Sequence, residues 1–140
     1  MRFLVPDVLS PADCLALSAN VGYLNWRDDS LIPITDILSS RLSSHCMDEP
    51  AYARVEQRRE GHHWHSDDKN KHWRNSTKTP GYTASVLLSK PDEFSGGAFR
   101  FEDGTEFKHY GDLLVFSAKQ RHMVQPHHGV RKILLMFLNE

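Results

Sequence analysis

Cysteine is scarce. Two residues, Cys14 and Cys46, provide no disulfide framework, so a hydrophobic core must hold the fold. Cys14 sits in an apolar helical pattern and reads as a buried thiol, and Cys46 has no partner motif. Long apolar runs are also missing, and none approaches the roughly 20 residues needed to span a bilayer. Neither sign of charge dominates. A net charge of −1 gives no strong pull toward nucleic acid or an anionic membrane surface. The opening Met1-Arg-Phe-Leu-Val-Pro6 has no signal-length apolar stretch, so a cytoplasmic protein is expected. No repeat or low-complexity linker interrupts the chain. With 39% apolar and 25% charged residues, its 140 residues are expected to form one domain.

The chain changes texture at Pro50. Before it, Ser10-Pro11-Ala12-Asp13 carries the signals of a helix start: a Ser cap, Pro at the first helical position and an acid in the first turn. Gly22 marks an expected stop, and a weaker helix is expected over Thr35 to Cys46. After Pro50 come short segments of strand character: Ala51 to Gln57, Tyr82 to Leu88, Leu113 to Phe116, His122 to Gln125 and Lys132 to Leu138. Asp103-Gly104, set between alternating segments of Ala98 to Phe107, signals a hairpin. Ile133-Leu-Leu-Met-Phe-Leu138 is apolar on both parities, so both its faces should be buried. Lys69 to Pro80 reads as a polar, lysine-rich mobile loop. The expected architecture is mainly β: residues 1–50 as helical support behind a jelly-roll core over residues 51–140.

Nine histidines are the unusual feature of the composition. His65 and Asp67 are two apart, so on a strand they face one way and can reach one metal ion. His122 supplies a third ligand from a distant strand. Two imidazoles and a carboxylate suit a mid-row divalent metal and leave coordination positions open. Arg131 lies nine residues beyond His122, on what should be the adjacent strand, and shares a side with Ile133, Leu135 and Phe137. A cation on an apolar face needs an anion, and a guanidinium suits a dicarboxylate. The same alternation places His63 with His65 and Asp67, which keeps open a three-histidine site of cupin type built from His63, His65 and His122. Trp64 is expected to pack, Trp73 is equally suited to packing or to a substrate rim, and His127 and His128 are expected in a solvated turn. The basic residues from Arg58 to Lys78 are interspersed with acids and read as a solvated face, which weighs against nucleic acid.

From Ala51 to Phe137 the chain resembles the iron(II)- and 2-oxoglutarate-dependent dioxygenases, and within them the prolyl 4-hydroxylase-like branch that includes bacterial PKHD-type hydroxylases. The resemblance rests on the His65-x-Asp67, His122 and Arg131 order, with Leu88-Ser-Lys-Pro-Asp-Glu-Phe-Ser-Gly-Gly97 and Gly111-Asp-Leu-Leu-Val-Phe-Ser117 between them. It implies a double-stranded β-helix and iron bound by His65, Asp67 and His122. It also implies 2-oxoglutarate anchored by Arg131 and oxygen as second co-substrate, with ascorbate a further candidate. Hydroxylation of a substrate C–H bond, on a prolyl or other amino-acid residue, is the implied activity, and a catalytically silent metal-binding barrel is the alternative. Family members often carry a tyrosine four residues before the position of His62, where this chain has Arg58. Thr83 and Ser85 are the candidates for the co-substrate contact that this tyrosine would make.

Overall fold

A computed structural model of the chain describes residues 1–69 and 80–139. The mobile loop expected over Lys69 to Pro80, and Trp73 within it, lie almost wholly outside the described residues. In chain order the elements are β1 (Arg2–Val5), α1 (Pro11–Ser18), β2 (Gly22–Tyr23), α2 (Ile32–Ser44), β3 (Tyr52–Arg58), β4 (His62–His65), β5 (Tyr82–Leu87), β6 (Ser95–Gly96), β7 (Phe99–Phe101), β8 (Glu106–Phe107), β9 (Leu113–Ser117), β10 (His122–Val124), β11 (His127–His128) and β12 (Arg131–Leu138). Single 3-10 turns occur at Asp67–Lys69 and Pro91–Glu93.

Both parities of β12 are apolar, and the strand is accordingly enclosed in the middle of the larger sheet. That sheet runs β1-β9-β5-β12-β3-β2, with every pairing antiparallel. Leu134, Met136 and Leu138 point to one side. There they join Val55, Val86 and Val115 beneath Leu17 of α1 and Leu38 and Leu42 of α2. The opposite side packs Leu114 and Phe116 against Phe99, Phe101 and Val124 of a second sheet, ordered β4-β10-β7-β8. Helices, large sheet and small sheet therefore form three layers, and the two sheets make a jelly-roll sandwich. The expected hairpin is present: β7 pairs with β8 through a turn in which Gly104 adopts φ +88. Among the described residues, no helix is long and apolar enough to cross a membrane.

The N-terminal segment departs from the expected helical support in one respect. It also supplies β1 and β2, the two edges of the large sheet. Helix α1 starts as expected, with the Ser10 hydroxyl accepting from the Asp13 amide and the Asp13 carboxylate accepting from the Ser10 amide. It ends at Ala19, before Gly22, because the chain turns into β2 there. Helix α2 begins three residues earlier than its apolar spacing suggests, since Pro33 stands in its first turn, where a missing amide donor costs nothing. It stops as Cys46 enters the left-handed region at φ +61. Cys14 is buried, and burial pushes its thiol pKa up to about 11.

Candidate active site

Strands β4 and β10 lie side by side with His65 opposite His122. Gly61 makes this approach close: a Cβ there would stand 2.5 Å from the Val124 carbonyl oxygen. The pairing then slips between His122 and Val124, so Val124 faces His62 and the strict alternation of β4 is broken. As a result His62, rather than His63, shares the inner face with His65, and their ring centroids are 3.9 Å apart. His63 is exposed. Its carbonyl accepts hydrogen bonds from the ring Nδ1 groups of His65 (2.6 Å) and His62 (3.2 Å). The three-histidine arrangement through His63 is thereby overturned, because the bulge turns that side chain to solvent. Trp64 is also turned outward and is 39% exposed, so it does not pack as expected.

Asp67 follows β4 in a 3-10 turn pinned to the Ala118 carbonyl by its amide at 2.8 Å, with the Asp68 amide bonding the same oxygen. One donor atom each from His65, Asp67 and His122 lie within 4.8 Å of one another, a group able to hold a metal ion. Asp67 is the centre of the cluster. Its two oxygens lie 3.4 Å from His65 Nε2 and 3.5 Å from His122 Nε2. Each histidine has its Nδ1–H committed to a backbone carbonyl, of His63 for His65 and of Gln120 for His122. That donation selects the tautomer and leaves the Nε2 lone pair free to take a metal ion. His122 is fixed further by Phe99, stacked at 4.8 Å, and by Phe116, edge-on at 4.9 Å. Burial among these rings pushes the His122 pKa down to about 4, against the pull of Asp67. Burial also opposes charge on His65, but the Asp67 carboxylate and the His63 carbonyl together outweigh it and raise that pKa.

Thr83 and Ser85 prove to be engaged elsewhere. The Thr83 hydroxyl donates to Asp67 Oδ2 at 2.8 Å, and Ser85 Oγ is paired with His109 Nε2 at 2.8 Å. Each therefore has one of its hydrogen-bonding positions taken by a neighbouring side chain. His109 was marked by no motif or spacing. It is wholly buried, and burial, with Arg131 nearby, holds its pKa down to about 3. His127 also departs from expectation. It is buried against Phe94 because β11 pairs with β6, whereas His128 is exposed as expected.

A cavity of about 650 Å³ between the two sheets is lined by all three members of the cluster. Its opposite wall is the inner side of the large sheet, with Arg131, Ile133 and Leu135 in the expected alternation. Arg131 is not on the strand adjacent to His122. Strand β11 intervenes and carries the chain from one sheet to the other, so the two residues meet across the cavity instead. Only 2% of Arg131 is exposed, and its Nε has no hydrogen-bond partner. Burial lowers its pKa to about 10, offset in part by Glu56 and reinforced by Arg58. An enclosed guanidinium that makes no ion pair among the described residues, open to a cavity, suits an anion. A second cavity of about 620 Å³ lies by α1; Ser89, Lys90, Glu93 and Lys132 line it, with no histidine.

The backbone has known counterparts. A viral collagen prolyl hydroxylase from Paramecium Bursaria Chlorella virus-1, solved with 2-oxoglutarate, superposes with a TM-score of 0.70 at 16% identity, over 98% of this chain and 94% of that one. A Pseudomonas putida prolyl-4-hydroxylase gives 0.69 at 16% identity, over 99% and 92%. A Trichoplax adhaerens prolyl hydroxylase, bound to a hypoxia inducible factor peptide, gives 0.69 at 15% identity, over 99% and 83%. The fold is theirs. No family model matches the sequence, and no curated protein matches it at a significant level. The shared architecture extends over nearly all of the chain, N-terminal strands included.

Proposed function

We propose that the chain is a non-haem iron oxygenase that couples decarboxylation of 2-oxoglutarate to hydroxylation of a substrate C–H bond. The observation that carries this reading is the Arg131 guanidinium, which has an unpartnered Nε, makes no ion pair among the described residues and is buried in the same cavity as the His65, Asp67 and His122 cluster. A metal site alone would need no buried cation. A metal site facing an unsatisfied cation suits a ligand that chelates at one end and carries a carboxylate at the other.

In this reading His65 and His122 present Nε2 and Asp67 a carboxylate oxygen to iron(II). The ion, when bound, supplies the oxygen chemistry that no side chain provides. The remaining work is done by the chain. Carbonyl acceptors hold both imidazoles in the ligating tautomer, and Thr83 orients the carboxylate. Arg131 takes the distal carboxylate of the co-substrate and sets its direction. Phe99, Val124, Ile133 and Leu135 give the cavity apolar walls, which limits competing reactions with water. Peptide-bound residues, prolyl among them, are the substrate class favoured by the shared architecture. Ascorbate would act as an accessory reductant, and no residue here is assigned to it.

Anaerobic titration of the iron(II)-loaded chain with 2-oxoglutarate tests the proposal. A weak visible charge-transfer band is expected, and succinate should form when oxygen is admitted. A chain that binds iron but develops neither band nor succinate, with or without candidate peptides, would be the catalytically silent barrel instead.

A further inference from the structure

Arg131 has a cationic neighbour on the same wall. In the β3–β12 pairing Arg58 stands opposite Arg131, and Glu56 opposite Ile133. Alternation along β3 sends Ala53 and Val55 to the helix side, leaving Arg54, Glu56 and Arg58 on the cavity side. Glu56 and Arg58 both line the cavity.

Arg58 is held in place. Its Nε donates to Glu56 Oε2 at 3.1 Å, and the other Glu56 oxygen lies 3.7 Å from Arg54 Nε. Glu56 is thus committed to its own strand and forms no ion pair with Arg131. The side chain of Arg58 is 35% exposed, so its Nη groups can meet a ligand from solvent. Its charge also bears on Arg131, whose pKa it helps to lower. Among the described residues, two guanidinium groups of the cavity lining (Arg58 and Arg131) therefore face a single carboxylate, Glu56, on this wall. The surplus is positive. Thr83 and Ser85, the polar alternatives, are bonded elsewhere.

We infer that Arg58, tethered by Glu56 opposite Arg131, is a second cationic contact for the distal carboxylate of the co-substrate, and that the pair selects dicarboxylic over monocarboxylic keto acids. A carboxylate offers about four acceptor positions, enough for a fork from one guanidinium and a further donor from another. A keto acid of equal length without the distal carboxylate leaves the surplus charge unanswered. The inference rests on the 2-oxoglutarate reading above.

Calorimetric titration of the full chain, loaded with manganese(II) as a redox-stable ion, separates the two ideas. The probes are 2-oxoglutarate and 2-oxopentanoate, which matches it in length but ends in a methyl group. Arg58→Met should weaken 2-oxoglutarate binding roughly tenfold to a hundredfold, while changing 2-oxopentanoate affinity by less than about twofold. Arg58→Lys keeps the charge without the fork, and should fall between wild type and Arg58→Met. It also serves as the deciding variant if Arg58→Met fails to fold. Unchanged 2-oxoglutarate affinity in the folded variants, or equal loss for both keto acids, would overturn the role of Arg58 alone. Wild-type protein that binds manganese(II) but not 2-oxoglutarate would overturn the proposed function and this inference together.

Discussion

Replacing Arg131 by methionine should make the ligand-free protein more stable while abolishing its response to 2-oxoglutarate. The guanidinium is 2% exposed, has an unpartnered Nε, and has its pKa pushed down to about 10, chiefly by burial. A displacement of that size costs the folded state about 3 kcal/mol near neutral pH, because the charged form is less favourable inside than in the unfolded chain. The cost fades only as the pH rises above about 10, where the folded-state group loses its proton. Methionine has similar length, fits beside Ile133 and Leu135, and removes the charge. Exchanges of buried charge for apolar volume are often neutral or stabilising by 1–4 kcal/mol, so a gain of roughly 1–3 kcal/mol is expected here. For a chain of this length that raises the melting temperature by roughly 3–9 °C. Wild type should recover the difference on binding, since a ligand at a hundred times its Kd adds about 2.7 kcal/mol. Thermal melts followed by circular dichroism, with manganese(II) and with or without 2-oxoglutarate, read both effects. A variant that melts below ligand-free wild type, or that keeps the ligand-induced rise, would refute the view of Arg131 as an unpaired charge awaiting an anion.

Thr83→Val removes the only side-chain hydroxyl hydrogen-bonded to Asp67 among the described residues, and should weaken manganese(II) binding roughly 10- to 100-fold with little change in fold. Equilibrium dialysis measures this, and wild-type affinity in the variant would exclude an orienting role. His109 gives an acid-side signature. Its pKa is held down to about 3 by burial and by Arg131, whereas the unfolded chain takes up this proton near pH 6.5. The unfolded state therefore binds the proton first, and stability present above about pH 6.5 falls at about 1.4 kcal/mol per pH unit down to about pH 3. His65, with its raised pKa, offsets part of this loss. Urea midpoints at about pH 7.5 and pH 4.5 should differ less in His109→Phe than in wild type. Equal differences in the two proteins would show that this imidazole does not drive the acid loss.

Much of the small-sheet wall was legible because its logic is local. Asp103-Gly104 can make a tight turn, and His65 and Asp67 sit close enough in sequence to be carried to one place. The both-parity apolar run of β12 likewise announced a strand covered on two sides. What escaped the sequence depended on partners. The slip between β4 and β10 arises only when the strands pair, and it puts His62 in place of His63 on the inner face. Likewise β11 draws its backbone partner from β6, which buries His127 and moves Arg131 to the other sheet. Strands β1 and β2 are too short for alternation to show and are stabilised by the neighbours they join. Similarly, a single histidine such as His109, fixed by one serine and by enclosure, carries no spacing that marks it.

The division of the cavity has a mechanical consequence. Both imidazoles belong to the smaller sheet, whereas the guanidinium groups and Thr83 belong to the larger. Whatever touches both walls becomes a rivet through the sandwich, resisting any sliding or parting of its halves. Occupancy and the fit between the two sheets are then coupled, beyond the few side chains that make contact.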